Sequence, residues 1–140
     1  MASLHLLTQN IPAVEETFQR SVEVAEKATA PLVKGMSKTE EVFMWQNNLL
    51  KFYLEHNVEK AIDYSRELLE DHGFAIEEKD RNDLKFSLSC AYLLEGSPEL
   101  IPKAKGLLVE TLENADPLHQ GYAYNNLGMA NFYDFVVRSS

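Results

Sequence analysis

Four histidines and one cysteine are the side chains in this sequence best suited to metal binding or nucleophilic chemistry. The histidines are His5, His56, His72 and His119. No two of them have the spacing that places a pair of ligands on one metal ion. Cys90 adjoins Ala91 and Tyr92 in an apolar run, and a cysteine in that setting is typical of a core rather than of a nucleophile. We therefore predict no metal site, no bound cofactor and no catalytic residue.

Two pairs of adjacent glutamates, Glu40–Glu41 and Glu77–Glu78, could suggest general acid–base chemistry. Residues one position apart on a helix point in different directions, so neither pair forms a catalytic dyad. The sequence also has no glycine-rich phosphate loop and no nucleophile elbow. These observations favour a binding protein over an enzyme.

Charge and composition narrow the class of partner. The chain has 140 residues, of which 45% are apolar and 25% charged, and its net charge is -9. This length suffices for one domain or a short solenoid with a real core. The negative charge argues against nucleic acids and against anionic membrane surfaces. It indicates an acidic surface that aids solubility, or alternatively an acidic groove for a basic partner.

The chain carries no pattern that points to a membrane or to secretion. No stretch reaches the roughly 18 consecutive apolar residues that a membrane span needs. Residues 1–20 lack the basic-then-apolar order of a secretory signal and include Glu15 and Glu16. A single cysteine excludes an intramolecular disulfide and suits a reducing compartment. We expect a cytoplasmic protein, with a mitochondrial location as the alternative if the N-terminus is incomplete.

Capping residues divide the chain into six predicted helices. The predicted N-caps are Asn10, Ser37, Asn57 and Asp116, and Pro12 and Pro117 stand in first turns. Gly73 and Gly96 are placed to end the third and fourth helices. The fifth helix is expected to begin near Ser97 or Pro102, and residues 74–80 are expected to form a loop. Because no alternating strand pattern occurs, we predict an all-α fold built of antiparallel helical hairpins.

A repeat of 39 residues runs through the predicted helices. Leu49, Leu88 and Leu127 follow one another at this interval. The string Asn47-Asn48-Leu49 recurs as Asn125-Asn126-Leu127, and Ala91 and Ala130 keep the same offset. A fixed period of this length is typical of stacked helical repeats.

These residues resemble the tetratricopeptide repeat family. Residues 124–130, which read Tyr-Asn-Asn-Leu-Gly-Met-Ala, are similar to the start of the first helix of a repeat. Leu88, Ala91, Gly96, Ala104 and Pro117 follow the same order one unit earlier. The long spacing resembles that of kinesin-light-chain-like arrays. The resemblance implies a short right-handed solenoid over residues 37–140, with an incomplete third repeat, after an N-terminal capping region at residues 1–36.

The resemblance also implies a binding groove lined by the first helix of each repeat. The candidate groove residues are Asn47, Asn48, Lys51, Phe86, Ser87, Asn125, Asn126 and Met129. Amide side chains both donate and accept hydrogen bonds, which suits an extended peptide backbone. Phe86 and Cys90 stand where a clamp for a C-terminal carboxylate would need basic residues. The alternative reading of Asn125 and Asn126 is a hydrogen bond between helices.

The last predicted helix ends in a strongly apolar run. Its members are Phe132, Tyr133, Phe135, Val136 and Val137. Repeat arrays close with a polar-faced helix, and the sequence shows none after this run, so either the chain is a fragment of a longer array or another molecule covers this face. We therefore expect self-association, or a dedicated partner, through this surface, with Phe132 and Phe135 among the contact residues. The predicted function is a protein-binding adaptor or scaffold that holds a peptide or helix. The alternative is a structural subunit or assembly factor of a larger complex.

Overall fold

The computed structural model describes residues 4–72, 77–113 and 115–139, and it contains six α-helices, as predicted. They are α1 (Leu4–Lys27), α2 (Lys38–His56), α3 (Val58–His72), α4 (Glu78–Glu95), α5 (Ile101–Leu112) and α6 (Pro117–Ser139). Within these ranges no residue belongs to a β-strand. The chain folds as two compact units, residues 1–53 and 54–140.

Three of the four predicted N-caps form the expected hydrogen bond. The backbone amide of Glu40 donates to Ser37 Oγ at 3.1 Å, and that of Lys60 donates to Asn57 Oδ1 at 3.2 Å. The amide of His119 donates to Asp116 Oδ1 at 2.9 Å. Each bond satisfies an amide that the first helical turn leaves without a partner. Gly96 ends α4 in the left-handed conformation, with φ at 80°.

Two predicted boundaries are wrong. Asn10 is not a cap, because α1 already begins at Leu4 and continues through Pro12. A proline inside a helix removes one backbone hydrogen bond and crowds the carbonyl group four residues earlier, so α1 continues in spite of Pro12. The loop expected at residues 74–80 gives way to α4 at Glu78, where Glu78 and Asp80 complement the positive end of the helix dipole. The predicted cap at Gly73 lies outside the described residues.

In the first unit, α1 packs on α2 through aromatic and polar contacts. The rings of Phe18 and Phe52 lie 5.5 Å apart, and Gln19 Nε2 donates to the Tyr53 hydroxyl at 3.2 Å. Glu41 is buried, and its Oε2 accepts the backbone amides of Leu32 at 2.6 Å and Val33 at 3.3 Å. This carboxylate fastens the segment between α1 and α2 to the start of α2.

In the second unit, α4 lies between α3 and α5, and α6 packs on α5 with a smaller contact to α4. The predicted core positions Leu88, Ala91 and Ala104 are buried, and the two alanines have no exposed surface. Arg66 of α3 donates from Nε to the Tyr92 hydroxyl at 3.0 Å, and its guanidinium lies over the Tyr92 ring. The second unit is therefore a packed stack in which α4 is the central helix.

Candidate functional site

A cavity of about 290 Å³ opens in the second unit, where the start of α4 meets the end of α5 and the start of α6. It is lined by Glu78, Lys79, Asn82, Asp83, Phe86, Thr111, Ala115, Asp116 and His119. The cap at Asp116 fixes where α6 begins, and that start directs His119 toward α4. This volume is near the lower end of the range for small-ligand pockets and is large enough for a single side chain of a ligand.

His119 contacts two carboxylates. Its Nδ1 lies 2.7 Å from Asp116 Oδ1, and its Nε2 lies 3.3 Å from Asp83 Oδ1 on α4. A neutral imidazole has one N–H group, so only the imidazolium can donate to both carboxylates at once. The backbone amide and the side chain of His119 both hydrogen-bond to Asp116, and they lower the pKa of its carboxyl group. The histidine therefore joins the start of α6 to α4.

Aromatic rings stand beside this polar cluster. The ring centres of Phe86 and Tyr122 lie 6.1 Å apart, and those of His119 and Tyr122 lie 6.2 Å apart with the two rings nearly perpendicular. Half of the Tyr122 side chain is exposed. The face of an aromatic ring can hold a cation that lies within about 6 Å of the ring centre, and it can also hold apolar groups.

The charges that line the cavity are mainly negative. Glu78, Asp83 and Asp116 supply three carboxylates, and Lys79 supplies one ammonium group. Negative groups beside aromatic rings favour a positively charged guest, because the carboxylates attract it and the ring faces stabilise it. The overall charge left open an acidic groove for a basic partner, and the carboxylates of this cavity are a place where that prediction can be tested.

The paired asparagines of α6 have different surroundings. Asn126 is half-buried, and its Nδ2 donates to Cys90 Sγ of α4 at 3.2 Å. Burial raises the pKa of the Cys90 thiol, the direction expected of a packed cysteine. Asn125 is exposed. Asn126 thus takes part in the interhelix hydrogen bond that was the alternative reading, whereas Asn125 is available to a ligand.

The other predicted contact residues of α6 are accessible. Met129 is exposed, and Phe132 and Phe135 are exposed by 63% and 67%. Asp134, between these two phenylalanines in sequence, instead turns to α5, where it accepts Lys105 Nζ at 3.2 Å. Phe132 and Phe135 are among the most exposed large apolar side chains of the described residues.

Of the remaining predicted groove residues, Ser87 is half-buried on α4, and the other three lie on α2 in the first unit. Asn47 and Asn48 are half-buried, and Lys51 is exposed. Glu40 is exposed, whereas Glu41 is buried. A second hollow in this unit lies beside Glu41 and is almost wholly apolar; its lining includes Val24, Ala25, Leu32 and Trp45. Arg20, Ser21 and Glu41 also line this hollow, and Glu41 already accepts two backbone amides.

Sequence reasoning missed the cavity. It treated His119 only as one of four isolated histidines, and it did not single out Asp83 or Tyr122. The cap at Asp116 was a usable signal, because a cap fixes the direction of the side chain three residues later. Pairing His119 with Asp83 required the packing of α6 against α4.

Neither a metal centre nor a membrane span is found in the part of the chain that the structure describes. No group of three or more His, Cys, Asp or Glu side chains there is arranged to hold a metal ion. No described helix combines the length and the apolar character that crossing a bilayer requires. Comparison with protein-family models, with curated proteins and with solved structures finds no match to this chain.

Proposed function

We propose that this chain is a protein-interaction module of the tetratricopeptide type, and not an enzyme, which binds an extended segment of a partner protein. The observation that carries the proposal is the cavity beside Phe86 and His119, with its three carboxylates. A basic side chain of the partner enters this cavity. The exposed amide of Asn125 then binds the partner's backbone farther along α6.

An arginine or a lysine fits the lining better than an acidic or an apolar side chain. A guanidinium group hydrogen-bonds to carboxylates in a planar fork and stacks on aromatic rings. Asp83 and Phe86 of α4 both line the cavity, and they offer the carboxylate and the aromatic ring for these two contacts. The guest competes with the ring of His119 for Asp83, because His119 Nε2 already lies 3.3 Å from Asp83 Oδ1.

Nuclear magnetic resonance can locate the binding site. The ¹⁵N-labelled chain is titrated with a capped heptapeptide whose central residue is arginine. The proposal expects saturable shifts of the amides of Phe86, His119 and Tyr122. Asp83→Asn should weaken binding, whereas the matched charge removal Asp63→Asn, at an exposed site on α3 outside the cavity, should leave it nearly unchanged. Shifts scattered over the surface, or equal effects of both variants, would exclude this site.

The second candidate function is a structural subunit or assembly factor of a larger complex. The exposed apolar surface of α6, with Phe132, Phe135 and Val136, favours it, because such surfaces are usually covered in stable assemblies. A pull-down at moderate salt separates the two candidates. An adaptor exchanges its partners, whereas a subunit co-purifies in fixed stoichiometry. For either role we propose a cytoplasmic location, with a mitochondrial one as the alternative.

A further inference from the structure

The two helices α4 and α6 occupy equivalent places in the 39-residue repeat, yet their neighbours differ. Helices α3 and α5 both pack on α4. Among the described helices of the second unit, α6 has its main contact with α5 and a smaller one with α4. One side of α6 therefore has no covering helix in a position where α4 has one.

Burial at equivalent positions locates the uncovered side. On α4, Ser89, Tyr92 and Leu93 are buried. The residues that follow them by 39 positions are Gly128, Asn131 and Phe132, and all three are exposed. By contrast, Ala91 and its counterpart Ala130 are both fully buried. The two helices thus share one packed side and differ on the other.

The uncovered side has the form of a shallow trough. Its floor is Gly121 and Gly128, two helical turns apart, where an added Cβ atom would meet nothing within 4 Å. Tyr124, Phe132 and Phe135 stand around this floor with 64%, 63% and 67% of their surfaces exposed. We call these five residues the open face of α6. Glycine weakens the interior of a helix, and no close approach among the described residues requires it at either position.

We infer that the open face binds an amphipathic α-helix of a partner protein, which packs on α6 as α5 packs on α4. Helix α5 shows the required chemistry, since it buries Ile101, Ala104 and Leu108 along one stripe with a small residue at the centre. Because Gly121 and Gly128 have no side chains, the backbone of such a helix can approach α6 closely there, with the three aromatic rings on either side of the bound helix. The inference concerns a surface other than the cavity, so it can fail while the proposed function stands.

The charge and the exposed area of the open face both fit a single helix of a partner protein. The five residues of the open face carry no charge, although the chain has a net charge of -9. The partner surface that fits them is therefore apolar rather than basic. Exposed rings of this size offer on the order of 100 Å² each, so the three rings of the open face offer roughly 300 Å². This area suits one short helix; it is below the ~800 Å² per partner of a standard stable interface between two proteins. A second copy of the chain is therefore a poorer fit.

A helical peptide with the stripe of α5 is the direct probe. The peptide has the sequence of residues 97–113 and is held helical by a hydrocarbon staple between positions 106 and 110, both of which are exposed in the chain. Binding to the full chain is followed by fluorescence anisotropy and by amide shifts. We expect saturable 1:1 binding, with shifts at Gly121, Gly128 and Phe132, and no binding of the same peptide with Ala104→Glu.

The deciding variant is Gly128→Gln, which fills the trough without disturbing the fold. Its new side chain meets open space, and glutamine is a better helix former than glycine. The matched control is Gly106→Gln on α5, an exposed helix glycine that also has open space around it. We expect Gly128→Gln to weaken peptide binding roughly ten-fold or more and Gly106→Gln to leave it unchanged. Absence of binding, equal binding by Gly128→Gln, or a dimer of the chain that Gly128→Gln abolishes would overturn the inference.

Discussion

His119 Nε2 lies 3.3 Å from Asp83 Oδ1, and this contact ties the first turn of α6 to α4. The two side chains are 34% and 38% exposed, so solvent weakens their attraction. In a double-mutant cycle with His119→Ala and Asp83→Ala, we expect a coupling free energy of about 0.5 kcal/mol. Urea unfolding of the four proteins measures it. A coupling energy of zero would mean that the two residues are neighbours without mutual stabilisation.

The two asparagines of α6 should respond oppositely to substitution. Asn126→Ala removes the hydrogen bond to Cys90 and should lower the free energy of unfolding by about 1 kcal/mol. Asn125→Ala removes an exposed amide, and it should leave stability unchanged while weakening the binding of the partner segment. Thermal unfolding and peptide titration of each single variant separate the effects. Equal losses of stability would refute this division of roles.

The buried carboxylate of Glu41 should matter far more than that of its neighbour. Glu41→Ala leaves the amides of Leu32 and Val33 without their acceptor and should cost about 2 kcal/mol or more. Glu40→Ala is the matched control, because Glu40 is exposed and should change stability by less than about 0.5 kcal/mol. Urea denaturation compares the two. Similar costs would show that the segment between α1 and α2 does not depend on Glu41.

Acid should weaken the contact between α5 and α6. The hydrogen bond from Lys105 and the nearby Arg138 lower the pKa of Asp134 below its ordinary value of 3.8. A carboxyl group with a lowered pKa stabilises the fold fully above its ordinary pKa, and that contribution is lost as the pH falls through the folded-state value. Lys105→Met should raise the Asp134 pKa, and Arg138→Gln should raise it less, as followed by ¹³C resonance of the carboxyl carbon. An unchanged pKa in Lys105→Met would contradict the assignment.

Local signals predicted the fold well where a capping side chain contacts its own helix. Ser37, Asn57 and Asp116 behave as expected because the hydrogen bond of an N-cap spans only three residues. The prediction from Asn10 was wrong, because α1 begins at Leu4 and runs through both Asn10 and Pro12. The burial of Ala91 followed from helical periodicity and the repeat.

The candidate site depended on information that a single helix does not contain. Asp83 and His119 come together only when α6 packs beside α4, and no local pattern fixes that register. For the same reason, Asn125 and Asn126 look alike in sequence, and only packing separates the exposed amide from the bonded one. The exposed apolar surface of α6 was predictable, because residues 132–137 contain five apolar or aromatic side chains, which is more than one side of a helix can bury.

The most direct test of the proposed function is whether the cavity prefers a basic side chain. Isothermal titration compares capped heptapeptides that differ only at the central residue, which is arginine, lysine, glutamine or glutamate. The lining of Glu78, Asp83 and Asp116 beside Phe86 predicts that arginine binds about ten-fold more tightly than glutamine, and that glutamate binds weakest. Equal affinities for all four peptides, or a preference for glutamate, would contradict the account.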